Sequence, residues 1–202
     1  MKKKGLVIVV SGPSGAGKGT ICKELVKRKK DLSISVSATT RDPRKNEVEG
    51  KNYYFYSVKE FEEKINQKDF LEYAKVYGNY YGTPKSKVIE EIENGKDLIL
   101  EIDIQGALQI KESYSKGIFI FIMPPSMKEL RNRITSRGTD SREVILKRME
   151  CAYHELNYAF KYDYVIINDD LEDAVKVVDS ILIAEKHKAI RKRDIIEKLK
   201  EE

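Results

Sequence analysis

Leu6–Val10 is apolar at every position and rich in β-branched residues, the pattern of a strand covered on both faces of a parallel sheet. Leu98–Ile104 and Ile118–Met123 repeat that pattern, and Tyr164–Ile167 reads as a fourth buried strand, ending at Asn168-Asp169-Asp170. Between these runs the apolar positions recur at helical spacing. Thr20 to about Lys30 predicts a helix with Ile21, Cys22, Leu25 and Val26 inward. Lys85–Glu93, Gly106–Ser113, Met127–Ser136, Ser141–Phe160 and Leu171–Lys188 predict five more. Strands alternating with helices imply an α/β fold built on a parallel sheet.

Two stretches break this rhythm. Ser33 to Gly82 is rich in Tyr, Phe and polar residues, with short strands and one helix at Val58–Asn66, and reads as a lobe inserted into the sheet domain. Arg131–Arg148 holds five arginines around a turn at Gly138, the composition of a lid. Beyond Ala184 the chain becomes a charged helical tail with a thin apolar stripe of Ile190, Ile195, Ile196 and Leu199.

At 202 residues the chain is long enough for one domain with an insertion and a full core. Its net charge of +5 comes from 38 basic and 33 acidic residues spread along the sequence. Such spreading argues against a nucleic-acid binder, which concentrates charge on one groove-facing element, and it suits a small anionic substrate. Cys22 and Cys151 lack metal-ligand spacing and fall in helical patterns, so they read as buried or half-buried thiols. The Lys-rich start and Leu6–Val10 superficially resemble a signal peptide, but the run is short and leads into a glycine loop. No run approaches the ~20 apolar residues that span a bilayer. The expectation is a cytoplasmic protein without membrane or nucleic-acid partners.

The chemistry begins at Gly12-Pro13-Ser14-Gly15-Ala16-Gly17-Lys18-Gly19-Thr20, after a buried strand and before a helix. Glycines let consecutive N–H groups wrap an anion, and the helix start adds partial positive charge. Lys18 supplies a point charge for a transferred phosphate. The hydroxyl usually found directly after the lysine is displaced by one residue: Gly19 takes that place and Thr20 follows.

Ser37-Ala-Thr-Thr-Arg-Asp-Pro-Arg44 is followed by Glu47 to Tyr53, then Phe70-Leu-Glu72 and Gly78-Asn-Tyr-Tyr-Gly-Thr83. From about Gly5 to Ala184, in one register, the sequence resembles guanylate kinases. That resemblance implies a P-loop NTPase-type parallel sheet, a mixed-β acceptor lobe at about 37–83, a lid at about 131–148 and a tail at 185–202. It implies ATP and GMP as substrates, Mg²⁺ as the metal, and phosphorylation of GMP to GDP, and of dGMP to dGDP, in purine nucleotide metabolism.

By the same resemblance Arg41, Arg44, Tyr53 and Tyr81 hold the acceptor phosphate. Arginine forks bind phosphate with paired bonds, and tyrosine hydroxyls complete the shell. Composition leaves Tyr80 and Tyr81 equivalent; only the family motif selects Tyr81. Glu72 matches the guanine reader, an acceptor-only group for the N1–H and N2–H donors, with Ser37 and Thr83 donating toward O6. Asp103, in Glu101-Ile-Asp-Ile-Gln105, matches the aspartate between the nucleotides. Strand alternation would put Glu101, Asp103 and Gln105 on one face, although a strand-end acid can instead cap a helix. Arg137 and Arg148 match the lid arginines that stabilise the moving charge, whereas Arg133 and Arg142 read as exposed helix charges. Asn168 and Asp169 match the adenine contact. No metal ligand is assigned directly: Mg²⁺ would be held mainly by ATP phosphates, with Thr20 and Asp103 nearby.

Two alternatives stay open, a kinase for another nucleoside monophosphate and an inactive binding module of the same fold. Glu72 with Ser37 and Thr83 opposes the first, and Lys18 with both lid arginines opposes the second. Oligomeric state is undetermined at this stage.

Overall fold

A computed structural model describes residues 4–76, 78–136 and 141–201 of the chain. The first apolar run becomes β1 (Val7–Ser11), buried throughout and followed by α1 (Lys18–Arg28) and the short β2 (Leu32–Ile34). The inserted stretch holds β3 (Ser37–Thr39), β4 (Tyr53–Phe55), α2 (Val58–Asn66), β5 (Phe70–Val76) and β6 (Asn79–Pro84). Next come α3 (Lys85–Glu93), β7 (Asp97–Glu101), α4 (Ile104–Ser113) and β8 (Ile118–Met123). They are followed by α5 (Met127–Thr135), α6 (Arg142–Glu155), β9 (Tyr164–Ile167), α7 (Leu171–His187) and the terminal α8 (Arg193–Glu201).

Among the described residues β2, β7, β1, β8 and β9 form one sheet in that order, and every pair is parallel. Because side chains alternate along a strand, β1 feeds two cores. Ile8 and Val10 join Ile21 and Leu25 of α1 and Val175, Val178 and Leu182 of α7. Val7 and Val9 join Val88 and Ile92 of α3 and Ala107 and Ile110 of α4. Apolar runs without alternation thus reflect a sheet covered on both faces, as expected for α/β architecture.

The chain leaves β1 toward β7 on one side and later returns to β8 on the other. The crevice beyond the carboxyl ends of β1 and β7 is therefore a topological switch point, where open α/β sheets bind ligands.

The inserted residues form a second, mixed sheet ordered β4-β3-β6-β5. Its apolar anchor is Phe61 of α2, fully buried and stacked on Phe70 at 4.3 Å and Tyr80 at 5.2 Å. Ser57 starts that helix with a reciprocal capping box to Glu60.

Several expectations are corrected. Leu32-Ser-Ile34 is a sheet strand and not the start of the lobe. The second buried run stops at Glu101, because Asp103 caps α4 by accepting from Gly106 N–H at 2.8 Å. A local Asp cap outcompetes the β preference of Ile102 and Ile104, so Glu101, Asp103 and Gln105 do not share a strand face. β9 is an edge strand, with Val165 45% and Ile167 58% exposed. Cys22 is buried as expected, but Cys151 is exposed.

Candidate active site

The loop between β1 and α1 closes on itself through backbone bonds, Ala16 N–H to Pro13 O at 3.1 Å and Ile21 N–H to Gly17 O at 3.1 Å. Gly17, at φ 94°, stands immediately before α1 in the left-handed region, where a Cβ would fall 2.2 Å from Asn168 Nδ2. That buried amide donates to Ala16 O at 2.8 Å and braces the loop from behind. The Lys18 ammonium lies over the loop, donating to Gly12 O at 2.5 Å and Pro13 O at 3.0 Å. Backbone N–H groups, a helix start and a lysine converge there, the equipment for polyanionic phosphate.

Across the switch point lies a cleft of about 240 Å³, lined by Ser37, Tyr53, Glu72 and Tyr81 of the lobe and by Glu101 and Asp103 at the end of β7. Glu72 is 6% exposed and accepts the Thr83 hydroxyl proton at 2.6 Å. Burial pushes its carboxyl up to about 7; the Thr83 bond opposes that rise, and the Asp103 charge adds to it. A buried, half-satisfied acceptor at a cleft wall is suited to a ligand edge bearing N–H donors.

Tyr53 and Tyr81 meet edge to face at 6.1 Å, and the Arg41 guanidinium sits 5.6 Å over the Tyr53 ring. Glu47 holds Arg41 in place, accepting from Nη2 at 2.8 and 2.9 Å, and the same carboxylate accepts the Arg44 N–H at 2.8 Å. Tyr80 turns the other way, stacking on Phe61, so strand alternation separates the neighbouring tyrosines that composition left equivalent.

The cleft therefore unites Ser37, Tyr53, Glu72, Tyr81 and Asp103, with Thr83 joined through Glu72 and Arg41 through Tyr53. Arg44 is exposed and is not among the cleft-lining residues. Arg148 is half-buried on α6, while Arg137 lies outside the described residues. Asn168 supports the loop, and Asp169 borders a separate groove of about 340 Å³ beside β9 and α7. Thr83 directs its proton to Glu72, so of the two expected hydroxyl donors Ser37 is the one lining the cleft.

Three features were not legible beforehand. Arg133, read as a surface charge, is partly buried and bonds Glu129 at 2.8 Å and Asn168 O at 3.0 Å, tying α5 to the loop brace. Glu155, two turns beyond Arg148 on α6, is half-buried; burial raises its carboxyl, the Lys18 charge opposes that, and Asp103 adds to it. A Cβ on Gly19 would lie 3.1 Å from Glu101 Oε1, so the displaced loop hydroxyl coincides with a close approach of an acid. Each depends on partners distant in sequence, which no local pattern reveals.

Hard oxygen donors near the loop are Thr20 on the exposed first turn of α1, Glu101 against Gly19, and Asp103. Among the described residues no group of three or more His, Cys, Asp or Glu forms a protein cage for a metal. This donor set fits an ion such as Mg²⁺, which keeps its waters and takes most ligands from phosphate.

Comparison with known proteins gives a consistent result. A family model described as guanylate kinase matches residues 4–185. The guanylate kinase of Caldanaerobacter subterraneus subsp. tengcongensis is 59% identical over 202 residues, covering 100% of this chain and 98% of the relative. That of Clostridium tetani is 62% identical over 194 residues, covering 96% and 93%. The crystal structure of guanylate kinase from Anaplasma phagocytophilum superposes with a TM-score of 0.76 at 36% identity, covering 95% of this chain and 91% of that one.

Proposed function

The chain belongs to the guanylate kinase family, and on that premise we propose that it transfers the terminal phosphoryl group of ATP to GMP through the residues gathered at the switch point. The observation that carries the residue roles is Glu72: a buried carboxylate held by Thr83 in the wall of the cleft that Asp103 also lines.

The donor phosphates lie on the loop from Gly12 to Thr20, where N–H groups and Lys18 meet their charge. Arg41, with Arg44, Tyr53 and Tyr81, holds the GMP phosphate; the Glu47 contacts keep Arg41 oriented before substrate arrives. Glu72 accepts from guanine N1–H and N2–H, and Ser37 donates to O6. Adenine would set its N1 lone pair against Glu72, and unpaired buried groups of this kind discriminate by about 10⁴ or more. dGMP is included because its base and phosphate are those of GMP.

A phosphate oxygen of GMP attacks the γ-phosphorus, the bond to the β–γ bridging oxygen breaks, and ADP leaves with that electron pair. Lys18, Arg137 and Arg148 stabilise charge on the transferred group, where one arginine can contribute about 10³–10⁵ to the rate. Asp103, held as the α4 cap, orients the acceptor. Thr20, Glu101 and Asp103 would be the chain's oxygen donors toward Mg²⁺, and the ion would supply charge neutralisation at the donor phosphates. Among the described residues no helix is long and apolar enough to cross a membrane; the cytoplasmic location belongs to the proposal.

A coupled ADP-release assay comparing GMP, AMP, UMP and CMP tests the reading. GMP is expected to dominate. Equal or better turnover with AMP overturns the guanine assignment while leaving the kinase class standing.

A further inference from the structure

Gly106 lies in the first turn of α4, where its N–H donates to the Asp103 cap at 2.8 Å. A Cβ there would fall 2.4 Å from Glu72 Oε2 and 2.9 Å from its Cδ, and the three atoms nearest that Cβ all belong to Glu72. One residue beyond Glu72, the Gln109 side chain grips the outer edge of β5. Its Oε1 accepts the Tyr73 N–H at 3.2 Å, and its Nε2 donates to Tyr73 O at 3.1 Å. β5 is an edge strand, so this amide stands where the next strand's backbone would be.

We infer that α4 is the device that positions the base-reading carboxylate, with Gly106 admitting Glu72 to its working place and Gln109 fixing the strand that carries it. The same helix turn presents Asp103 through its cap, so one rigid element sets the reader of the base and the orienter of the acceptor relative to each other. Gly106 and Gln109 are positioning residues for acceptor selectivity, and the inference rests on Glu72 being the guanine reader.

The test compares kcat/KM for GMP and for inosine monophosphate, which keeps N1–H and O6 but lacks the 2-amino donor, at saturating ATP. In Gly106→Ala the carboxylate must shift by about an ångström, a displacement that can cost roughly 10²-fold in kcat/KM for GMP. The GMP preference over inosine monophosphate should fall at least about tenfold, with KM for ATP unchanged, because the lost N2–H contact is the one that separates the acceptors. A merely structural defect would lower both acceptors equally. If Gly106→Ala fails to fold in a thermal melt, Gln109→Leu, on the exposed side of α4, must lower the same ratio by about three- to tenfold. An unchanged ratio in either folded variant overturns the inference. Glu72→Ala is the control: should it leave the ratio unchanged, the guanine-reader assignment itself fails. A lowered ratio in Glu72→Ala beside an unchanged one in Gly106→Ala removes only the role of α4.

Discussion

Lowering the pH from 8 to 6 should impair GMP use chiefly through one group of the chain, Glu72. Burial raises its carboxyl from 4.5 to about 7, and only the carboxylate can accept from both guanine donors. With a midpoint near 7, about nine-tenths of the enzyme is competent at pH 8 and about one-tenth at pH 6. kcat/KM for GMP should therefore fall roughly tenfold over that interval, whereas KM for ATP at saturating GMP stays level. The acceptor phosphate itself titrates near ~6, so the profile must be compared with Glu72→Gln, which carries no ionisable group there. The variant should be poor at every pH and show only the substrate's inflection. The same shift has a stability consequence of definite sign. The folded chain holds the Glu72 proton more tightly than the unfolded chain does, so the stability this one group contributes is fully present below about 4.5 and is lost as pH rises through about 7, by about 3 kcal/mol. Glu72→Gln removes that loss. At pH 8 it should melt above the parent, by about 2–4 °C for each kcal/mol recovered, and the two should converge only below about pH 4.5. A GMP profile identical in parent and variant, or a Glu72→Gln that melts lower at pH 8, would refute the buried-carboxylate argument.

Lys18→Ala should lower kcat by roughly 10³-fold or more while calorimetry finds GMP affinity nearly unchanged; a comparable loss of GMP affinity would mean its role is misassigned. Arg41→Ala, which also strands Glu47, should raise KM for GMP far more than KM for ATP; equal effects on both would contradict an acceptor-phosphate role. Asn168→Ala should raise KM for ATP by loosening Ala16 and Gly17, with KM for GMP little changed, as steady-state kinetics can check. Phe61→Ala should cost about 3–5 kcal/mol in urea denaturation, because it empties the stacked anchor of the lobe.

Much of the sheet was legible because a parallel strand covered on both faces has a one-dimensional signature. β1 and β8 show it undiluted. β2 did not, since three residues are too few to carry a pattern and its place is set by pairing with β7. Tyr164–Ile167 misled for the opposite reason. An apolar run records affinity for the sheet but not the strand's place in it, and among the described residues β9 has no strand on its far edge. At Asp103 two local preferences competed, and the cap prevailed over alternation. The loop glycines and Lys18 could be read from spacing alone, because the strand–loop–helix that carries them is one local segment. The acceptor side could not. Spacing did not separate Tyr81 from Tyr80, which part in the fold because Phe61 occupies one face of the lobe sheet, and Arg133, Gly106 and Gln109 acquire meaning only from Asn168, Glu72 and Tyr73, each outside their own helices.

That division has a physical origin. Phosphate carries enough charge to be bound by generic means, backbone N–H groups and a lysine, so its site can be compact and local. A purine edge is neutral and must be told from other neutral edges by the direction of its donors, which requires an acceptor withdrawn from water and unable to turn. Under the proposed role of Glu72, its burial would meet the first need and raises its pKa; Thr83, with the close wall at Gly106, would meet the second. On that reading the destabilising charge and the selectivity are the same arrangement seen from two sides. A variant that relaxes the carboxylate into solvent should gain stability at neutral pH in proportion to the preference for GMP that it loses.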